Sequence, residues 1–228
     1  MIELNGSRVL VLGGSGVLGG HLAAALKRRG ARVMLAGRDR DRLHRAATAL
    51  GPDTPSVLFD LREPSHADHV VSTAVAALGG LDGLVNAAGV VAFGPFAEMS
   101  DAALDELVAT DFVGPLRIMR AALPHLDGGF VVNLTGVVAE RAVPGIVAYS
   151  AVKAGLSAAA TGLSSELRRR RIHVLDARPP HTETGLADRP IEGSAPLFPK
   201  GLDPAGVAER IVSGLESGER EIPSEAFG

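Results

Sequence analysis

The feature that most restricts how this chain can fold is the glycine cluster Gly13-Gly14-Ser15-Gly16-Val17-Leu18-Gly19. It stands between the apolar run Arg8-Val9-Leu10-Val11-Leu12 and a stretch, Val17 to Arg29, whose apolar residues recur at helical spacing. The pattern predicts strand, tight turn, helix. Gly30 sits where a helix-ending glycine belongs and Ala31 to Ala36 reads as a second apolar strand, so a βαβ unit of about thirty residues opens the chain. In such a turn, backbone N–H groups and the positive end of a helix converge, which suits a dinucleotide pyrophosphate. Glycines are needed because a Cβ blocks the approach. Gly13, Ser15, Gly16, Val17, Leu18 and Gly19 are therefore candidate phosphate-binding residues; a tight turn that binds nothing is the plainer alternative.

The alternation continues with apolar runs near Ser56 to Phe59, Gly83 to Asn86, Gly129 to Leu134 and His173 to Ala177, separated by alanine-rich stretches of helical length. Runs apolar on both faces belong in a buried parallel sheet. The chain is read as α/β: a Rossmann-type doubly wound parallel sheet with helices on both faces, a three-layer α/β/α architecture in one domain over residues 1–228. Apolar residues make up 46% of the chain and aromatics 4%, so Ala, Val and Leu must build the core. Pro179 to Leu202 is irregular and rich in Pro and Gly, and its part from about Thr184 to Leu202 is read as a substrate lid.

Several function classes drop out. The chain has no cysteine, which excludes disulfides, thiolate metal sites and cysteine nucleophiles. A formal net charge of −3 with mixed signs gives no draw to nucleic acid or to an anionic membrane. No basic segment precedes an apolar stretch at the N-terminus, and Gly83 to Ala97, the longest run free of charged residues and histidine, is too short to span a membrane. A soluble, cytoplasmic protein with a small-molecule partner is expected. His66, Asp68 and His69 read as a solvated helix face and not as a metal site. Arg168 to Arg171 reads as a cationic helix end suited to the helix dipole.

At the end of the second strand, where a carboxylate usually receives the ribose of NAD, the chain has Ala36-Gly37-Arg38. A cation there suits a 2′-phosphate and favours NADP, with NAD possible; Arg38 also reads as one of a solvated series with Arg40, Arg42 and Arg45. Further on, Tyr149 and Lys153 lie four residues apart at the head of an alanine-rich helix, which puts phenol and ammonium on one face. A phenol is a poor base near neutrality, and a nearby cation lowers its pKa by favouring the phenolate.

The glycine turn, Asp60, Asn86-Ala87-Ala88-Gly89, Asn133 and Tyr149-x-x-x-Lys153 occur in this order, and with them the chain resembles the short-chain dehydrogenase/reductase family over nearly its whole length. The resemblance implies a seven-stranded or similar sheet and hydride transfer between a nicotinamide cofactor and a carbonyl or secondary alcohol. It implies Tyr149 as general acid/base and Lys153 as the residue that binds the nicotinamide ribose and lowers the tyrosine pKa. Asp60 and Leu61 are then expected at the adenine, Asn86, Ala87, Ala88 and Gly89 along the cofactor, and Pro179 to Thr184, including His181 and Thr184, at the carboxamide. Family members resemble dimers or tetramers, and Ala151, Ala154, Gly155, Ala158 and Ala159 permit close helix approach between copies, or packing on the chain's own sheet.

The chain departs from the family pattern in four places. Gly136 stands where a serine normally holds the substrate carbonyl, so Gly136→Ser is expected to raise turnover. Thr135 is adjacent, and substitutes only if the strand end is irregular. Asp111 replaces the usual asparagine and brings a carboxylate near Lys153, while Pro179-Pro180 replaces Pro-Gly. The turn is spaced Gly-x-x-Gly-x-x-Gly, as in a longer branch of the family, although the chain ends about seventy-five residues after Lys153, too soon for that branch's added substrate region. His181 and Glu183 are candidates to supply the missing polar group. Two functions follow: an NADP(H)-dependent oxidoreductase, or a cofactor-binding regulator or scaffold that has lost efficient chemistry.

Overall fold

The computed structural model describes residues 1–228. Seven parallel strands, β1 (Arg8–Leu12), β2 (Arg32–Gly37), β3 (Ser56–Leu58), β4 (Gly83–Asn86), β5 (Phe130–Leu134), β6 (His173–Ala177) and β7 (Glu221–Ile222), form one sheet in the order β3-β2-β1-β4-β5-β6-β7. Strand order reverses between β1 and β4, and ligands bind at the carboxyl ends of strands at such a switch point.

Alternation along each strand divides the core. Val9 and Val11 of β1 pack with helices α1 (Val17–Arg28) and α7 (Pro204–Ser217) on one face. Leu10 and Leu12 pack on the other with α3 (His66–Leu78), α5 (Gly114–Ala122) and α6 (Val147–Glu166). Helix α2 (Arg40–Leu50) flanks β2 and starts at Asp39, whose side chain accepts the Arg42 N–H; α7 starts at Asp203, which accepts the Gly206 N–H, with Pro204 in its first turn. No helix is long and apolar enough to cross a membrane.

The strands expected from the apolar runs all form, with ends displaced by a residue at β2, β3 and β5. Strand β7 has two residues, too few to carry a period, and exists through pairing with Asp176 and Ala177. Helix α4 (Asp101–Val108) does not run smoothly into α5: Ala109–Val113 makes a π-helical turn. Pro115 has no N–H to give to the Asp111 carbonyl four residues back, which accounts for the wider turn there. The small residues of α6 divide between the two readings, with Ala151, Ala154 and Ala158 exposed on the outer face while Gly155 lies against the Phe112 ring.

Candidate active site

A cleft of about 570 Å³ opens along the carboxyl ends of β1, β2, β4, β5 and β6. At its centre lies the glycine turn. Gly13 has φ +72, and a Cβ on it would stand 2.7 Å from Ala87 O and Ala88 N; one on Gly19 would stand 2.3 Å from Gly13 O. The β1 turn thus touches the loop after β4 backbone to backbone. Helix α1 begins here with no side-chain cap and no acidic residue in its first turn, so its positive end faces the cleft uncompensated. Such a cradle fits a pyrophosphate.

Toward β2, Gly37 leaves room for Ser15, whose Oγ would lie 2.8 Å from a Cβ at that position. Arg38 is half exposed, with Nη1 3.5 Å from Glu106 Oε1. Arg42, grouped from sequence with the solvated arginines, also lines the cleft and reaches the Ser15 carbonyl at 3.4 Å. The signal that could have singled it out is its place in the first turn of α2, one turn beyond Arg38. Asp60 and Leu61 line the same end. Arg62 holds the Asp60 carboxylate on both oxygens and, chiefly through those hydrogen bonds, lowers its pKa. The Asp60 N–H in turn donates to His66 Nδ1, so this imidazole is tied into the loop.

Toward β5, Tyr149 and Lys153 line the cleft from one face of α6, with Lys153 Nζ 5.7 Å from the tyrosine ring centroid. Lys153 is buried; it donates to Leu134 O at 3.2 Å and lies 3.6 Å from Asp111 Oδ2. Asp111 comes from the π-helical turn and is fully buried behind the cleft, its Oδ1 accepting the Val90 N–H at 2.9 Å. Burial raises its carboxyl above the ordinary carboxylate value against the pull of Lys153. Lys153 is itself raised: burial opposes its charge, but Asp111, Tyr149 and Asp176 outweigh that. The Tyr149 pKa, expected from sequence to be lowered by the lysine, is instead raised, first by burial, with Lys153 pulling it down and Asp111 pushing it up.

Gly136 lines the cleft with φ +79 and ψ 165, a left-handed setting that favours glycine, although its Cβ direction is open. Thr135 is buried beside it and gives its hydroxyl to Asp176 Oδ1 at 2.6 Å, so that hydroxyl is committed to β6. Ala87, Ala88 and Gly89 line the cleft, whereas Asn86 does not: it is buried in β4, with Nδ2 3.5 Å from Asn133 Oδ1. Asn86 is the register partner of Asn133 on β5, and the two side chains meet within the core.

Pro179, His181 and Thr184 lie on the cleft. His181 stacks on Phe198 at 4.7 Å, while Glu183 accepts the Gly201 N–H at 2.6 Å and stands 3.8 Å from His181 Nε2 outside the cleft lining. The segment read as a lid is pinned midway: Ile191 N–H donates to Val91 O, and Phe93 N–H donates to Glu192 O. Val91, Phe93, Ile146 and Leu186 give this end of the cleft an apolar wall. Sequence reasoning named none of these four, because each lies in an irregular segment or at a helix start where neither period applies.

The short chain dehydrogenase family profile matches residues 7–193. An "uncharacterized oxidoreductase" of Staphylococcus haemolyticus is 30% identical over 219 residues, covering 94% of this chain and 93% of that protein. Nodulation protein G of Rhizobium meliloti is 31% identical over 192 residues, 83% of this chain and 78% of that protein. Among solved structures, a dehydrogenase/reductase from Sinorhizobium meliloti superposes with TM-score 0.83 at 28% identity, covering 97% and 95% of the two chains. A short chain dehydrogenase from Burkholderia cenocepacia, in complex with NADP, shares the fold with TM-score 0.85 at 24% identity, covering 98% of each. With the sheet order, the glycine turn and the Tyr149–Lys153 face in place, these likenesses settle the family: the chain is an oxidoreductase of the short-chain dehydrogenase family.

Proposed function

We propose that the chain transfers a hydride between NADP(H) and a carbonyl compound or secondary alcohol. The observation that carries this is the convergence of Tyr149 and Lys153 with the uncapped glycine turn on one continuous cleft. The bound nicotinamide supplies the hydride. The turn from Gly13 to Gly19 holds the pyrophosphate on backbone N–H groups, and Arg38 with Arg42 receives the 2′-phosphate. Asp60 and Leu61 would hold the adenine, and Ala87 to Gly89 would contact the ribose. Lys153 orients the nicotinamide ribose. Pro179, His181 and Thr184 would hold the carboxamide, and the Val91, Phe93 and Leu186 wall would keep water from the reacting carbon.

Tyr149 moves the proton. In reduction, hydride addition at the carbonyl carbon shifts the C=O π pair to oxygen, and the phenol O–H breaks to protonate it; oxidation reverses both transfers. Neither Gly136, which has no hydroxyl, nor Thr135, which gives its own to Asp176, serves Tyr149 as a second donor. That absence favours a second reading, a cofactor-binding regulator with weak chemistry. Exposure of Ala151, Ala154 and Ala158 supports a homodimer or homotetramer joined through α6.

Titration with NADPH and NADH separately, following nicotinamide fluorescence, tests the cofactor assignment. Micromolar NADPH binding with much weaker NADH binding is expected. A panel of ketones and aldehydes then separates the readings: turnover abolished by Tyr149→Phe supports the enzyme, and tight binding without turnover supports the regulator.

A further inference from the structure

The pair behind the cleft explains more than the position of the lysine. Asp111 Oδ1 is held by the Val90 N–H at 2.9 Å, while Oδ2 is buried without a hydrogen-bond partner and lies 3.6 Å from Lys153 Nζ. Gly89 leaves room for this approach: a Cβ there would stand 3.3 Å from Asp111 Oδ1 and 3.4 Å from Lys153 Nζ. Lys153 spends another hydrogen on Leu134 O at 3.2 Å. The ammonium is therefore paired from behind with a carboxyl group that can carry a full charge, where an asparagine offers only a dipole.

We propose that Asp111 is a positioning residue that neutralises Lys153 and so keeps Tyr149 a neutral phenol above neutral pH, holding the proton that carbonyl reduction consumes. Seen from the phenol, Asp111 and Lys153 are opposite charges 3.6 Å apart, so the carboxylate offsets part of the lysine's pull. Burial then dominates, in accord with the raised Tyr149 pKa. From its own helix Tyr149 faces Lys153, and from the π-helical turn it faces Asp111. Asp176 of β6 acts on Lys153, and Glu106 of α4 acts on Asp111. Arg38, Asp39, Arg42, Asp60, His181 and Arg189 are the other ionisable groups on the cleft. Of all these, only Asp111 is both fully buried and in contact with the lysine.

The inference rests on Tyr149 as the proton-transfer group, yet its test needs neither cofactor nor turnover. Tyr149 is the only tyrosine and the chain has no tryptophan, so the near-ultraviolet phenolate absorbance of the isolated protein reports one group. In the unaltered chain the midpoint is expected at or above the ordinary phenol value of about 10. In Asp111→Asn, which keeps an acceptor for Val90, it is expected to fall by about one pH unit or more. An unaltered chain titrating below the ordinary phenol value overturns the proposal even if the variant does not fold. So does an Asp111→Asn midpoint that stays put while stability drops, since that is the mark of a purely structural carboxylate. If turnover is found, the alkaline limb of kcat/KM for reduction moves down in Asp111→Asn by the same interval. If none is found but the absorbance shift occurs, the electrostatic inference stands and the proposed hydride transfer falls.

Discussion

Thr135 Oγ1 donates to Asp176 Oδ1 at 2.6 Å, and both residues are buried. The other Asp176 oxygen accepts from Ser157 at 2.5 Å and from Arg178 at 3.1 Å, so the carboxylate ties β5, α6 and the start of the loop after β6 together. Thr135 therefore has a structural task. Thr135→Val leaves Asp176 short of one donor and is expected to cost about 1–3 kcal/mol of stability. Turnover should change by less than about tenfold, against the roughly 10²–10³ lost with a transition-state donor. Urea unfolding with steady-state kinetics decides it, and a hundredfold loss of kcat at unchanged stability returns Thr135 to the reaction.

Gly136 has the space for a side chain but not the backbone, with φ +79 and ψ 165. Gly136→Ala and Gly136→Ser should each cost about 1–3 kcal/mol, because a Cβ carries strain in that region. Contrary to the expectation from sequence, Gly136→Ser is not expected to gain turnover. Thermal unfolding and the carbonyl panel are the measurements. A serine variant faster than the parent would show that the turn relaxes and that a hydroxyl was all it lacked.

Arg38 and Arg42 stand at the β2 end of the cleft. If they receive a 2′-phosphate, replacing either by Ala removes charge-assisted bonds and weakens NADPH about tenfold, while NADH changes by no more than about twofold. Equal losses for the two cofactors would place these arginines elsewhere than at the phosphate.

Lys153→Met leaves Asp111 buried without its cation, a change that typically costs about 3–5 kcal/mol. Burial raises the Asp111 carboxyl, so the folded variant holds a proton that the unfolded chain releases above the ordinary value of 3.8. Stability must then fall as pH rises from 3.8 through the raised folded value. Denaturant unfolding at mildly acidic and neutral pH should show the deficit growing toward neutrality; a deficit independent of pH contradicts the pairing.

The segment read from sequence as a lid is held where Gly193, at φ +75, passes Phe93: a Cβ on Gly193 would stand 1.7 Å from Phe93 O. Gly193→Ala should unseat Ile191 and Glu192 from Val91 and Phe93. If the segment covers the substrate, KM is expected to rise about tenfold, with cofactor affinity unchanged and proteolysis appearing within residues 184–202. Unchanged KM would mean that this segment does not cover the substrate.

Much of this protein was legible in the chain because the forces involved are local. The β1 turn and α1 follow from an apolar run, glycines and a helical period within a few residues of one another, and Tyr149 and Lys153 share a face because a helix repeats every 3.6 residues. Those rules stop at the ends of an element. That Thr135 spends its hydroxyl on Asp176, that Asn86 lies beneath the cleft and Arg42 on it, and that β7 exists at all were decided by packing between segments distant in sequence. The placement of Asp111 behind Lys153 is the clearest case. It depends on a proline-induced π turn and on a glycine that leaves the two side chains room to meet, so a substitution legible in the sequence acquires its electrostatic meaning only when the sheet brings the two helices together.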